Sequence, residues 1–316
     1  MEDRRQLMIR IGLVDLDTSH PLAFTGILRT IPGVEVTALW DGHDVWPAGY
    51  DRRFAAEHRI PVVCTTLEEM PDYVDAAMIH GTNWDAHLDR ALVFMKAKKP
   101  VLIDKPVVGS VRDCDRLMNL QEKYGVQVFG GSSLRCAREV TALRGAIASR
   151  DDLVSVVASG PGDFFSYGIH TTEMLQGFAG TGIRSVKAVS RSRVPVLAVE
   201  YNDGLVGILH LNMGFHEWSL CAYTSGGLRT AIVNTDGLYE PFLRNFIALL
   251  RGGTVGYDLA GPVEAVRVHI AAKIALEKGT AVSLGDLPPD AGFDGRAFTA
   301  DYAAMKRRQA PGGAPA

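Results

Sequence analysis

The sequence predicts an α/β chain: an N-terminal doubly wound parallel sheet followed by an α+β domain carrying an open mixed or antiparallel sheet. Three observations predict it. Short apolar runs alternate with amphipathic segments over the first 130 residues, as parallel strands joined by helices require. Near residue 130 the rhythm changes, and between 184 and 234 strand-like runs follow one another without helices between them. The length of 316 residues is enough for about two domains of ordinary size. The expected division is 1–130, 131–287 and a partly flexible tail at 288–316.

In the first domain, residues 8–14 (MIRIGLV) read as a strand and 21–31 as a helix, with Pro21 in the first turn where its missing amide hydrogen costs little. Strands are expected at 35–41, 74–80, 101–104 and 126–131, and helices at 50–58, 84–99 and 111–125. In the second, helices are expected at 134–149, 169–178, 241–251 and 262–278, with a strand near 153–159. Lys278-Gly279 has the charge and the residue type of a helix C-terminus. The runs VKAVSRSRV, VLAVEY, LVGILHLNM, HEWSLCAYT and LRTAIVN supply the second sheet. The tail begins and ends with Pro and Gly and has room for one short helix.

Composition excludes the extreme classes. Hydrophobic residues are 47% and charged residues 22%, which argues for a globular chain, and a net charge of -3 predicts neither nucleic-acid nor membrane binding. Cys64, Cys114, Cys136 and Cys221 are scattered, contain no CxxC pair and read as reduced, mostly buried thiols, so the expected compartment is the cytoplasm. No apolar stretch approaches the roughly 18 to 20 residues needed to cross a bilayer.

The loop after the first strand reads Asp15-Leu16-Asp17-Thr18-Ser19-His20-Pro21. In a dinucleotide-binding sheet this loop is glycine-rich, so that backbone amides can approach a pyrophosphate. Two carboxylates here raise the negative potential where a dianion would sit. Three readings stay open: Asp17, Thr18 or Ser19 caps the next helix; Asp15, Asp17 and His20 join His80 around a divalent metal, although no short ligand spacing supports one and none is expected; or the loop lines a polar pocket. Asp41 closes the second strand and either accepts hydrogen bonds from an adenine-side ribose, favouring NAD over NADP, or begins a turn.

Ligands bind at the carboxyl ends of parallel strands, which directs attention to Thr82 and Asn83, able to start a helix and to face a cofactor, to His87 in the following helix, a packed and hydrogen-bonded histidine or a ligand, and to Asp104-Lys105-Pro106. Lys105 can bond a hydroxyl or carbonyl oxygen, and Asp104 can hold it in place. Ser166, Tyr167, His170 and Glu173 form a second cluster at a helix entrance; His170 titrates near neutrality and can remove a proton, with Ser166 and Tyr167 adding hydrogen bonds.

The strand IGLV, the segment TNWDAHLDRAL, the stretch KKPVLIDKPV, GIHTTEML and the late mixed sheet together resemble the glucose-fructose oxidoreductase, inositol dehydrogenase and MocA family over about residues 8–285. The resemblance implies a Rossmann domain, an open-faced sheet used in oligomer contacts, with a dimer favoured, and reversible oxidation of a sugar or polyol hydroxyl by a nicotinamide, NAD or NADP. It places Lys105 on the lysine that contacts the reacting hydroxyl and His170 on the usual catalytic histidine. Asp15, Asp17, Thr18, Ser19, His20, Asp41, Thr82, Asn83, His87, Asp104 and Lys105 become the expected cofactor side, and Lys105, Ser166, Tyr167, His170 and Glu173 the expected substrate side. The chain departs from the family where its three glycines would align with Asp15, Asp17 and His20, where Ser166 replaces a frequent aspartate, and at Glu173. Other readings are a non-redox hydrolase, lyase or isomerase, with or without a metal, on the same fold, and a binding or regulatory protein that has lost the cofactor.

Overall fold

The structure is a computed structural model that describes residues 8–190 and 194–309. Its first sheet is built from β1 (Ile9–Val14), α1 (His20–Leu28), β2 (Val34–Trp40), α2 (Tyr50–Glu57), β3 (Val62–Val63), β4 (Ala76–Ile79), α3 (Trp84–Lys96), β5 (Val101–Ile103), α4 (Val111–Tyr124) and β6 (Val128–Gly130). The six strands run parallel in the order β3-β2-β1-β4-β5-β6, so the strand order reverses between β1 and β4. A doubly wound sheet opens its ligand crevice at that reversal. The two-residue β3 was not foreseen, because two valines carry no measurable periodicity.

Local chemistry sets the helix boundaries. The Asn83 side chain accepts the Asp85 amide at the start of α3, and Ser110 accepts the Asp113 amide at the start of α4. Gly125, at φ 58°, ends α4 in the left-handed conformation. β1 alternates its faces: Ile11 and Leu13 belong to a core cluster with Phe24, Phe242 and Phe246, whereas Val14 belongs to a second cluster that continues into the other sheet.

The remaining elements are α5 (Arg138–Gly145), β7 (Leu153–Pro161), α6 (Gly168–Ala179), β8 (Ile183–Ser190), β9 (Val196–Tyr201), β10 (Val206–Met213), β11 (Ser219–Thr224), β12 (Gly227–Ile232), α7 (Tyr239–Leu250), α8 (Ala260–Lys278), β13 (Val282–Ser283) and α9 (Gly295–Gln309). The second sheet has the order β12-β11-β7-β10-β9-β8-β13 and is mixed: β7 and β10 are parallel and every other pair is antiparallel. Val156, Ala158, Val199, Leu209 and Ala222 are buried on the helix side, while Val157, Ala198, Ile208 and Cys221 on the opposite side are only half-buried. Part of the expected strand run VKAVSRSRV, residues 191–193, lies outside the described residues.

The expected helix at 134–149 is a correction. A 3-10 turn at Ser133–Cys136 comes first, Ala137 is extended, and α5 starts only at Arg138. The break turns Arg135 inward to a buried partner, which a continuous helix would not do. Two late helices return to the first sheet. Phe242 and Phe246 of α7 pack on Phe129 of β6. α9, the helix of the tail, has its first amides held by the Asp85 carboxylate, and Phe298 packs on Trp84. No described helix is long and apolar enough to cross a membrane.

Gly177 lies where α6 meets the turn before α5. An added Cβ would stand 2.5 Å from the Arg135 carbonyl oxygen and 2.9 Å from its Cα, both backbone atoms that cannot swing away. Gly177→Ala is therefore expected to destabilise the protein by about 1 to 3 kcal/mol despite alanine's better helix propensity. Urea unfolding measures this; a neutral or stabilised variant would contradict the close backbone contact.

Candidate functional site

A cavity of about 100 Å³ lies where the carboxyl ends of β1, β4 and β5 meet the entrance of α6. Thr18, Ser19 and His20 form one wall, His80, Gly81 and Thr82 a second, and Asp104, Lys105 and Pro106 a third. Ser166 and Tyr167 face them, and Phe298 and Tyr302 of α9 close the side. The sequence-expected cofactor and substrate groups thus meet in one place through their strand ends.

Asp104 is the hub. Its Oδ2 lies 2.6 Å from His20 Nδ1 and 3.0 Å from His80 Nδ1, and its Oδ1 accepts the Lys105 amide at 2.8 Å. Burial alone would raise this carboxyl, but the two imidazoles outweigh it and hold it well below the usual carboxylate range. Asp104 therefore does not hold the Lys105 amine. Lys105 instead donates from Nζ to the Ser166 carbonyl at 2.9 Å and lies 5.1 Å from the Tyr167 ring centre. Burial lowers its pKa, which brings the amine nearer to proton exchange at neutral pH. Ser166 is positioned by Asp163, which accepts its amide and hydroxyl and the Phe165 amide.

His170 and Glu173 stand one layer behind the cavity and do not line it. His170 Nδ1 is 2.6 Å from Ser132 Oγ, its ring packs edge-on between Tyr167 and Trp218, and burial together with Lys105 pushes its pKa well down. Glu173 accepts the Ser132 amide and two bonds from Arg135, all on one oxygen. It is a buried ion-pair member that fixes the 3-10 turn rather than a substrate contact. His87, readable from sequence as a packed histidine or as a cofactor contact, is fully buried between the carbonyls of Gly81 and Val107, and burial drops its pKa to about 4. Asn83 caps α3.

The Asp15 loop divides its side chains among several partners. The Ser19 side chain makes no cap bond, although Thr18 Oγ1 accepts the His20 amide. The possible metal set disperses: His20 and His80 converge on Asp104, Asp15 pairs with Arg90 at 2.6 Å, and Asp17 bonds to Thr82. Asp41 accepts the His43 amide, as a turn-forming aspartate does, while its Oδ2 makes no hydrogen bond.

These contacts test whether a dinucleotide fits. Asp17 Oδ2 accepts the Thr82 amide at 2.7 Å and its hydroxyl at 3.0 Å, spanning the crevice between the ends of β1 and β4. Thr299 of α9 adds a bond to the same hydroxyl. Gly42 and Gly81 form a cradle without side chains, but Arg90 and Asp15 fill it, and the second Arg90 nitrogen is taken by Asp44. A pyrophosphate needs free amides or an unspent cation. The crevice as it stands offers buried carboxylates instead, and a pyrophosphate fits only where the Asp17–Thr82 bonds and the Arg90 ion pairs give way. Asp17 Oδ1 is a buried acceptor without a hydrogen-bond partner, and Asp41 Oδ2 lies 3.5 Å from His43 Nδ1.

Sequence reasoning missed Arg90, Asp163, Ser132, Arg135 and the α9 wall. Arg90 left a signal, being a cation three residues after His87 on the face of α3 that buries Leu88, Ala91 and Phe94. The others depend on contacts between elements far apart in sequence.

Residues 23–132 match the oxidoreductase family with an NAD-binding Rossmann fold, GFO_IDH_MocA. Over these residues the chain is similar to that family. The matched stretch begins after Asp15 and Asp17, the residues that close the crevice. A 1,5-anhydro-D-fructose reductase of Ensifer adhaerens is 31% identical over 144 residues, 45% of this chain and 41% of that protein. The chain thus spans less than half of that relative's length. The scyllo-inositol dehydrogenase of Lactobacillus casei, solved with NAD(H) and scyllo-inositol, superposes with a TM-score of 0.76 over 88% of this chain and all of that one, at 16% identity. GenD2 of gentamicin A biosynthesis, solved with NAD, gives 0.73 over 88% and 96%, at 19% identity. At these identities the likeness establishes the fold shared with the oxidoreductase-family domain.

Asp17 gives the site a pH signature. Burial, opposed by the Thr82 amide and reinforced by Asp41, raises its pKa from 3.8 to about 6. The folded protein then holds this proton more tightly than the unfolded chain, so the contribution is full below about pH 4 and is lost as pH rises through about 6, by up to roughly 3 kcal/mol. Stability measured against urea from pH 4 to 7 should fall less in Asp17→Asn than in the wild type. Equal slopes would mean that Asp17 titrates normally.

Proposed function

We propose that the protein acts at a hydroxyl or carbonyl carbon of a sugar, polyol or related small molecule held in the seam cavity, as an oxidoreductase using NAD or NADP. The observation that carries this reading is the desolvated Lys105 amine on the wall of a polar cavity at the strand ends, in a chain whose matched domain is similar to an oxidoreductase family. Lys105 Nζ reaches the reacting oxygen by exchanging its bond to the Ser166 carbonyl for one to substrate. Tyr167 covers the amine, limiting water. His170 supports this wall from behind through its edge contact with Tyr167, and Ser132 fixes its ring. A bound nicotinamide supplies the hydride acceptor or donor. The Asp41 carboxylate, just past the end of β2, favours an unphosphorylated ribose, hence NAD.

Lys105→Met should lower turnover at least about 100-fold without changing the unfolding midpoint. Unchanged turnover would remove Lys105 from the chemistry. Dinucleotide binding is tested by calorimetry with NAD, NADH, NADP and NADPH on wild type and Asp17→Gly. NADH should bind, and the variant should bind it at least about tenfold more tightly, because the bond to Thr82 no longer has to break. No heat with any of the four, in both folded proteins, would overturn the redox reading.

One observation favours a second reading. The bridge from Asp17 to Thr82 and the Arg90 carboxylate pairs leave the pyrophosphate position filled, as a non-redox lyase or isomerase that needs only proton transfer would permit.

The open face of the second sheet supports a homodimer. Its half-buried Val157, Ala198 and Ile208 continue outward into exposed Tyr223, Leu228 and Ile232, which lack cover in the single chain. Light scattering should give a mass of twice the chain, and Ile232→Glu should shift it toward the monomer; a monomeric wild type would refute this.

A further inference from the structure

Asp104 presents a chemical constraint that extends beyond its own position. An ionised carboxylate can only accept hydrogen bonds. The ring nitrogens within reach of its Oδ2 are His20 Nδ1 and His80 Nδ1, so both must donate. Each neutral ring is thereby fixed as the Nδ1–H tautomer, and each is left with a basic lone pair on Nε2. His80 Nε2 is fully buried and has no hydrogen-bond partner, and the residue lines the cavity. His20 lines the same cavity with 14% of its side chain exposed. Its ring cannot turn freely, since it stacks on Phe24 at 5.2 Å and meets the Tyr239 edge at 5.1 Å.

We propose that His20 is a proton-transferring residue of this cavity, with Asp104 and His80 as its positioning residues, and that the cavity takes neighbouring hydroxyls rather than phosphate or carboxylate groups. The proposal rests on the reading that a hydroxylated small molecule occupies the cavity. His20 Nε2 accepts the proton of a substrate hydroxyl; the O–H bond breaks, its electron pair stays on oxygen, and an N–H bond forms. The resulting imidazolium is neutralised by Asp104 2.6 Å away, and return of the proton restores the start. His80 Nε2, a second acceptor on the adjoining wall, takes the hydrogen of an adjacent hydroxyl. Two acceptor nitrogens around a carboxylate repel anions and ask for O–H donors. The other titratable groups on this cavity, Lys105, Tyr167 and Tyr302, stand on other walls, and Tyr239 packs against the His20 ring. His170, outside the cavity wall and tied to Ser132, is left as a support.

The test is a long-range proton–nitrogen NMR correlation on the full chain with labelled histidine at pH 7.5, with His20→Gln and His80→Gln used to assign the two rings. Both should show the Nδ1–H tautomer in the wild type, and Asp104→Asn should remove that preference at His20. Diethylpyrocarbonate labelling, read by mass spectrometry, should mark His20 faster than His170, and myo-inositol should slow the His20 reaction several-fold whereas inorganic phosphate should not. An Nε2–H tautomer at His20 in the wild type, or His170 labelling first, would overturn the assignment; protection by phosphate but not by the polyol would overturn the ligand class. The tautomer needs no turnover, so failure of nicotinamide-linked activity would count against the oxidoreductase reading and leave this measurement standing.

Discussion

A carboxylate buried at the end of a parallel strand must find donors, and Asp104 finds three: the Lys105 amide and the imidazoles of His20 and His80. Those donors come from the start of α1 and from the ends of β4 and β5, so satisfying one charge fixes the relative placement of three strand-end segments. The cavity exists between them. Removing the carboxylate would leave two buried ring nitrogens without an acceptor, which is costly for the same reason that burying the charge alone would be.

The same requirement recurs at the neighbouring ends and gives a different outcome. Asp15 takes Arg90 and the Gly42 amide, and Asp17 takes both donors of Thr82. Where a glycine-rich loop would leave amides free for a phosphate, these side chains consume the donors internally. The crevice is held together by the protein's own anions, and α9 reinforces it through Thr299. Two parts of one sheet edge are therefore specialised in opposite directions: the β1–β4 crevice is tied shut, while the β5 end keeps a polar cavity with titratable walls.

Behind that cavity lies a rigid support. Glu173 and Arg135 are nearly fully buried and bind through Ser132 to His170, and Gly177 lets α6 touch the turn that carries Arg135. Such a pair is costly to break once buried, because either partner alone would be an unpaired charge. Lys105 and Tyr167 are thus presented by elements that cannot easily shift, as precise proton handling requires.

Alternation of apolar and polar residues by itself determined the doubly wound sheet, the change of rhythm near residue 130 and the strand ends bearing Asp15, Asp41, His80 and Lys105, because period 2 and period 3.6 are local properties of a chain. Residue type alone also marked the glycine-poor loop as chemically unusual. Only the tertiary structure decided which of these groups meet. His20 and Asp104 are 84 residues apart, Thr82 and Thr299 are 217 apart, and Arg90 reaches the Asp15 loop from the buried side of α3. No local pattern encodes a hydrogen bond across such separations. Whether a histidine turns a nitrogen toward a cavity, as His20 does, or is enclosed between two carbonyls, as His87 is, depends on what burial places opposite it.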